Sequence, residues 1–283
     1  MLLALLSLSA HAAVFVSVPE AQALMQQGAV LVDARSEAAW LTGHAPGAGP
    51  LGWLGLRDGL LRTGRLTDDT DKLQTAIRRA GVRGGAPVVV YDAGKDGWGE
   101  AGRAWWTLSY LGHPSVHILD GGLPAWQAAG LSTVIGATLP LQGDFVVRPD
   151  ASLRAGLPQV EQSVAACQQG PCDVVFWDTR EPREYEGATP YGEARGGHLP
   201  GAVSLWFSEL TDAQGQLLPQ DQLQARLLAA GITPDKLVIP YCTGGVRSGF
   251  AVAVLTQLRY PRVANYDGSM WEWSSDPGRV LVK

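Results

Sequence analysis

The feature that most constrains the fold is an internal repeat that relates the two halves of the 283-residue chain. Four short motifs occur in the same order in both halves, at an offset of roughly 150 residues. The matched segments are 32–35 with 177–180, 43–48 with 197–202, 90–92 with 240–242, and 120–122 with 267–269. Four ordered matches at a nearly constant offset indicate a duplicated domain.

Each copy alternates short apolar strands with helices. The predicted strands are 29–33, 88–91 and 115–119 in the first copy, and 174–178, 237–241 and 263–266 in the second. The predicted helices are 19–27, 70–80, 102–111 and 123–129, then 158–167, 220–230, the segment after residue 247, and 270–273. Near-continuous apolar strands with crossover helices are typical of a parallel sheet covered on both faces. We therefore predict an α/β fold with two tandem domains, each a mainly parallel sheet with helices on both faces.

The repeat also sets the expected domain boundaries. Residues 13–138 form the predicted first domain and residues 151–283 the second. Residues 139–150 contain Pro140, Gly143 and Pro149 and show no helical period, so we predict a linker there. Ligands of open parallel sheets bind beyond the carboxyl ends of the strands, and Cys242 follows such an end.

The turn from Cys242 to Arg247 carries the clearest chemical signal. It joins the predicted strand 237–241 to an apolar helix, and its glycines allow backbone N–H groups to form an anion-binding nest. The helix N-terminus and Arg247 add positive charge, which favours the thiolate over the thiol. The sequence therefore predicts a nucleophilic Cys242 rather than a buried structural cysteine, with Ser248 as a cap of the following helix.

The length of this turn narrows the chemistry. The spacing is C-x4-R, whereas cysteine phosphatases use the longer C-x5-R loop, whose extra residue makes room for a tetrahedral phosphate. The shorter ring suits one additional sulfur atom on Cys242, and an arsenate reductase or phosphatase is the rival interpretation. The residues predicted to bind the substrate in this ring are Thr243, Gly244, Gly245, Val246 and Arg247.

In combination, these motifs resemble those of the tandem-domain rhodaneses over nearly the whole chain after residue 12. They are the D-x-R strand end, the G-H-x-P-G-A segment, the C-x4-R loop and the D-G-x-x-x-x-W tail. Arg247 resembles the residue of many bacterial members and departs from the Thr of mammalian-type loops. The resemblance implies a sulfurtransferase that moves sulfur from thiosulfate to a thiophilic acceptor, such as cyanide, through a Cys242 persulfide. A 3-mercaptopyruvate sulfurtransferase and a non-enzymatic persulfide carrier for a partner protein remain alternatives.

The first copy has a carboxylate where the second has its cysteine. Asp92 occupies the position of Cys242 and cannot carry a sulfane sulfur. The resemblance implies that this domain is non-catalytic and helps to wall the cleft, where Trp98 is a candidate contact.

Two arginines of the second copy, Arg183 and Arg195, have no counterpart in the first. Mammalian-type members place an arginine six residues after the strand-end aspartate, where this chain has Glu184. We consider Arg183 and Arg195 as rival binding groups for the anionic end of the donor, the alternative being solvated surface charges.

Composition limits the partners. The net charge of −5, without a basic patch, argues against nucleic acid as a partner.

Residues 1–12 combine an apolar run with an A-x-A-like site before Ala13, so we expect a signal peptide and a periplasmic protein, with the cytoplasm as the alternative. After processing we expect a monomer with no membrane contact and no cofactor.

The remaining cysteines, Cys167 and Cys172, have no nearby His or Cys to complete a metal site, so no metal is predicted. In an exported protein these two cysteines would be able to form a small disulfide.

Overall fold

The computed structural model describes residues 13–59 and 62–283. It contains two α/β units in tandem, which confirms the predicted fold class. The expected signal peptide at residues 1–12 lies outside the described residues and stays a prediction. None of the helices within the described ranges has the length and apolar character needed to cross a bilayer.

The first unit is built on a five-stranded sheet in which every neighbouring pair is parallel, in the order β1-β5-β4-β2-β3. Its strands are β1 Phe15–Val16, β2 Val30–Asp33, β3 Gly49–Pro50, β4 Val88–Tyr91 and β5 Val116–Leu119. Its helices are α1 Val18–Gln26, α2 Glu37–Thr42, α3 Thr70–Arg79, α4 Glu100–Tyr110 and α5 Gly122–Ala128.

The second unit has a three-stranded parallel sheet in the order β7-β6-β8. Its strands are β6 Val174–Asp178, β7 Val203–Ser204 and β8 Leu237–Tyr241. Its helices are α6 Leu157–Cys167, α7 Pro182–Tyr185, α8 Gln220–Ala229, α9 Val246–Gln257 and α10 Ser269–Trp273. A disulfide joins Cys167, the last residue of α6, to Cys172, just before β6.

The predicted strand at 263–266 is wrong, and the reason lies in β8. This segment does run beside β8: Ala264 N–H donates to the Val238 carbonyl and Tyr266 N–H to the Pro240 carbonyl, both at 3.1 Å. Pro240 has no N–H to return a bond, so the ladder is interrupted. Only isolated bridges form here, one of them pairing Val238 with Val263.

The helix after Cys242 also begins earlier than the sequence predicts. It starts at Val246, and Gly245 takes the left-handed conformation (φ +79°) at its N-cap. Arg247 and Ser248 therefore lie in the first helical turn, so the prediction that Ser248 caps the helix is wrong. As a consequence, the side chains of Arg247 and Ser248 project from the helix toward Cys242.

The cores of the two units merge between the sheets. Alternate residues of each strand point to opposite faces: Val32 of β2 and Trp177 of β6 join one central cluster, whereas Leu31 and Phe176 belong to separate outer clusters. Helices α4 and α9 lie in this central layer and pack directly against each other.

The contact between α4 and α9 depends on glycine. A methyl group at Gly102 would overlap the backbone of Phe250, and one at Gly249 would lie 2.9 Å from Arg103 Cα. This close approach unites the two units, and residues 139–150 cross between them without helix or strand.

Candidate active site

Cys242 immediately follows β8, at the carboxyl edge of the second sheet, and only 1% of it is exposed. The loop after it is held from outside through its carbonyls. The N–H groups of Met270 and Trp271, at the start of α10, donate to the carbonyls of Cys242 and Thr243 at 3.0 and 2.9 Å. Because the C=O and N–H of one trans peptide unit point in opposite directions, these bonds turn the N–H groups of Thr243 and Gly244 to the inner side of the loop.

The D-G-S segment of the repeat explains how α10 reaches this position. Ser269 takes a left-handed backbone conformation (φ +54°), which directs the helix start toward the loop. Its hydroxyl accepts the Cys242 N–H at 3.1 Å and donates to the Tyr266 carbonyl at 2.7 Å. Ser269 of the tail motif therefore helps to position the loop.

The sulfur of Cys242 faces donors on the inner side of the loop. Gly245 N–H lies 3.0 Å from Sγ, and the Ser248 hydroxyl lies 3.9 Å from it. Burial alone would raise the pKa of the thiol, but the charge of Arg247 and hydrogen bonds from Ser248 and Gly244 outweigh burial. The pKa of Cys242 is therefore lowered from its usual value, as the sequence predicts for a nucleophile.

Arg247 is held by a buried carboxylate that the sequence did not identify as a site residue. Its guanidinium donates to both oxygens of Glu184, at 2.6 and 2.9 Å, and to the Thr243 hydroxyl at 2.7 Å. The same hydroxyl lies 2.9 Å from Glu184 and 3.0 Å from Glu193. Burial would raise the pKa of Glu184, but Arg247 and the Thr243 hydroxyl hold it below its usual value. The only arginine of the loop is thus part of an ion pair.

A pocket of about 150 Å³ opens above the loop. Four aromatic side chains wall it, Trp53 and Trp98 from the first domain and Tyr191 and Trp271 from the second. Its floor consists of Cys242, Thr243, Gly244, Val246 and Arg247. The structure therefore places Trp98 at the cleft and makes the domain without a cysteine half of the pocket wall.

Arg183 and Arg195 are not among the residues that line this pocket, so the structure does not bring them together with the Cys242 loop. The side chain of Arg183 is 58% exposed and pairs with Glu181 at 2.7 Å. Arg195 donates to the carbonyls of Ser274 and Asp276, at 3.1 and 2.5 Å. Successive residues of a helix turn point about 100° apart, so α7 directs Glu184 inward and its neighbour Arg183 to solvent.

The corresponding loop of the first domain has an aspartate in place of the cysteine. Asp92 follows β4, and its carboxylate accepts the N–H groups of Gly94 and Ala101, both at 2.9 Å. A cavity of about 300 Å³ lies beside this loop. A carboxylate bound by backbone donors has no sulfur to offer, and the expectation that this domain is non-catalytic stays a prediction.

Comparison with known proteins identifies the repeated unit. The model of the rhodanese-like domain matches residues 17–129 and 162–276, one match in each copy. The chain belongs to the rhodanese family. Its two rhodanese-like domains correspond to the duplication read from the sequence, and the Cys242 loop lies in the second of them.

Similar rhodanese-domain proteins are named for sulfur transfer. The thiosulfate sulfurtransferase of Azotobacter vinelandii is 34% identical, with 88% of this chain and 89% of that protein covered. The 3-mercaptopyruvate sulfurtransferase of Escherichia coli K12 is 30% identical, with 83% and 82% covered. The crystal structure of SseA from Escherichia coli, described as a 3-mercaptopyruvate sulfotransferase, superposes with a TM-score of 0.79 at 27% identity, covering 91% of this chain and 99% of SseA. This rhodanese is therefore a member of a sulfurtransferase enzyme family whose relatives are named for different donors.

Proposed function

We propose that the protein is a thiosulfate sulfurtransferase that works through a persulfide on Cys242. The observation that carries this proposal is a buried thiol with a lowered pKa, bonded by the N–H of its own loop and open to a small pocket. The Cys242 thiolate attacks the outer sulfur of thiosulfate; the S–S bond of thiosulfate breaks, and sulfite leaves with the electron pair. Cyanide then takes the outer sulfur as thiocyanate, which regenerates the thiolate in a ping-pong cycle.

The loop suits the intermediate of this cycle. A persulfide places a second sulfur, with its negative charge, among the N–H groups that face the inner side of the loop. Arg247, at the helix start, adds the charge that favours this anion. The pocket above is smaller than a typical ligand site, which suits a donor as small as thiosulfate.

Donor identity is the finer part of the proposal, and one observation favours 3-mercaptopyruvate as the second candidate. Among the described residues that line the pocket, Arg247 is the only cation, and Glu184 already balances its charge. A monoanion with an organic body fits four aromatic walls better than a small dianion does. With this donor, attack on the thiol sulfur breaks the C–S bond, and the carbon keeps the electron pair as the enolate of pyruvate.

Intact-mass measurement tests the proposal directly. We expect the wild type to gain about 32 Da, one sulfur, from thiosulfate, to lose it with cyanide, and Cys242→Ala never to gain it. Loading by 3-mercaptopyruvate alone would replace the donor assignment, and loading by neither donor would overturn sulfur transfer. Rapid loading with slow turnover for every small acceptor would support the carrier alternative, and hydrolysis of aryl phosphates would support the phosphatase alternative.

We also propose export to the periplasm. The support is the disulfide between Cys167 and Cys172, since disulfides persist in oxidising compartments. N-terminal sequencing of protein from fractionated cells is expected to find a periplasmic chain that begins at Ala13. A cytoplasmic chain that retains residues 1–12 would contradict this.

A further inference from the structure

A buried arginine of the first domain lies directly beneath the catalytic loop of the second. Arg103 belongs to α4, and only 1% of it is exposed. Its guanidinium donates to the Gly245 carbonyl at 3.1 Å and to the Gly64 carbonyl at 2.7 Å. A methyl group at Gly245 would overlap Nη1 of Arg103, so the guanidinium is in direct contact with the loop backbone.

No close carboxylate balances the buried charge of Arg103, although its guanidinium lies over the Trp106 ring, 4.7 Å from the centroid. Its nearest carboxylate, Asp267, is 3.9 Å away, and its buried Nε has no hydrogen-bond partner among the described residues. Burial lowers the pKa of Arg103 to about 10, opposed first by the charge of Asp267 and then by that of Cys242. A buried charge with incomplete pairing is costly, so its position against the loop calls for a functional reason.

The contact reaches the sulfur through a single residue. Gly245 receives Arg103 at its carbonyl, while its own N–H donates to Cys242 Sγ at 3.0 Å. Asn265 and the α9 helix also donate to this carbonyl, at 3.4 and 3.3 Å, but neither carries a charge. Arg103 is therefore the charged group that holds the residue bonded to the nucleophile.

We propose that Arg103 is a positioning residue for sulfur transfer, through which the domain without a cysteine holds the Cys242 loop in its anion-binding form. Two effects follow from this placement. The guanidinium of Arg103 donates to the carbonyls of both Gly64 and Gly245, and these two bonds hold the loop against the first domain. The buried positive charge favours the thiolate and then the persulfide anion. Stabilisation of the persulfide rests on the proposed function, whereas the position of the loop and stabilisation of the thiolate are properties of the free enzyme.

The test measures the pH dependence of Cys242 alkylation by iodoacetamide in the full chain. Cys242 is the free cysteine of the described chain, so the mass gain reports on this residue. For Arg103→Met we expect the midpoint of the rate profile to rise by about one pH unit, so that the rate falls about tenfold at pH values well below both midpoints. Arg103→Lys keeps the charge but cannot bridge both carbonyls, and we expect an intermediate midpoint.

Arg154→Met is the matched control. Arg154 also crosses between the domains, donating to Asp267 at 3.1 Å and to the Leu66 carbonyl at 2.9 Å, but it does not bond the Cys242 loop. This variant is expected to lower the unfolding temperature and to leave the alkylation midpoint unchanged. A purely structural role for Arg103 would make the two methionine variants behave alike.

Three results would overturn the proposal: an unchanged midpoint in folded Arg103→Met, an equal shift in Arg154→Met, or a wild-type midpoint and sulfur-loading rate in Arg103→Lys. The lysine variant keeps the test decisive where Arg103→Met fails to fold. Alkylation needs no sulfur donor, so a shifted midpoint in a protein that no donor loads would sink the proposed function and leave the role of Arg103 intact. Normal sulfur loading of the wild type, with an unshifted alkylation midpoint in Arg103→Met, would support the proposed function and overturn the role of Arg103.

Discussion

The loops after β4 and β8 enter their helices in the same way but differ in length and in chemistry. Each enters its helix through a left-handed glycine, Gly99 at φ +78° and Gly245 at φ +79°. In the second domain the inner N–H groups face the sulfur of Cys242; in the first, such groups are bonded by the carboxylate of Asp92. The side chain of Asp92 thus occupies the N–H groups of the first loop, whereas the N–H groups of the second loop are left for a substrate.

Charge, rather than burial, separates the two loops. Burial disfavours the ionised form in both, and it prevails in the first domain, where the pKa of Asp92 is raised despite hydrogen bonds from Ala101 and Gly94. Burial would raise the pKa of Cys242 too, but the charge of Arg247 and the hydrogen bonds from Ser248 and Gly244 together lower it. At the second position after the helix-entry glycine, the second domain has Arg247 and the first has Ala101. Both domains of the duplicated fold therefore have a loop with inward N–H groups, and Arg247 distinguishes the loop that contains the nucleophile.

The largest expected effect comes from exchanging the residue in each nest. Cys242→Ala is expected to lower thiosulfate turnover at least about a thousandfold, since no covalent intermediate can form. Asp92→Asn loses one hydrogen bond, which costs about 1 kcal/mol of stability, and turnover stays within about twofold. Steady-state assays and thermal unfolding measure both variants. Lost turnover in a folded Asp92→Asn would show that the first loop takes part in the chemistry.

The next effect distinguishes the two helix-entry glycines. Gly245→Ala forces a left-handed alanine, which costs about 1–2 kcal/mol, and its methyl group also overlaps Arg103 and Asp267. We expect a loss of stability together with at least tenfold slower persulfide formation. Gly99→Ala has a similar backbone strain, but its nearest contact is the Phe250 Cβ at 3.0 Å, so we expect lower stability with nearly unchanged loading. Chemical denaturation and mass-detected loading test the pair, and equal loading defects in both would contradict the comparison.

A smaller effect is expected from the carboxylate that balances Arg247. Glu184→Gln keeps the shape of the side chain but removes its charge, so Arg247 becomes available to an anionic donor. The KM for thiosulfate is expected to fall about three- to tenfold, and that for the monoanion 3-mercaptopyruvate by less. Glu100→Gln, at the first loop, is the control and should leave both constants unchanged. A higher KM for thiosulfate in Glu184→Gln would mean that Glu184 serves mainly to orient Arg247.

The smallest effect concerns the aspartates that precede each tail helix. Burial raises the pKa of Asp120 to about 6, whereas its counterpart Asp267 is bonded by Arg154. The folded pKa of Asp120 exceeds the unfolded value of about 3.9, so the native state holds the extra proton between these values and loses stability as pH rises through this window. Asp120→Asn is expected to unfold a few degrees higher than the wild type at pH 7 and at the same temperature near pH 4. Asp267→Asn, measured alongside, should unfold lower at pH 7.

The fold and the nucleophile could be predicted because their signals are local. An apolar run bounded by turn residues predicts β8 with the observed bounds, and the glycines and arginine of the cradle follow Cys242 directly in the chain. The interruption beside β8 was also readable in principle, from the missing N–H of Pro240.

The partners of the loop could not be predicted, because only the tertiary fold brings them there. Glu184 lies in the short helix α7 and Glu193 in the loop that follows, and nothing in the local sequence distinguishes the inward carboxylate of Glu184 from the exposed Arg183 beside it. The same holds for Arg103. Its neighbours in the sequence indicate an apolar helix, but nothing in them indicates that this helix also contacts the second domain. The aromatic walls Trp53 and Trp271 were missed for that reason too.

The packing of α4 on α9 has a consequence for how a cell makes this protein. Residues 101–108 of α4 are all buried, because one side of the helix covers its own sheet and the other meets α9. The ribosome completes α9 roughly 150 residues after α4, which takes about 10–30 seconds at ordinary elongation rates. Throughout that interval the side of α4 that contains Gly102 and Arg103 lacks the cover that α9 gives it in the complete chain. We therefore expect the nascent first domain to keep one side of α4 exposed until the second domain is complete.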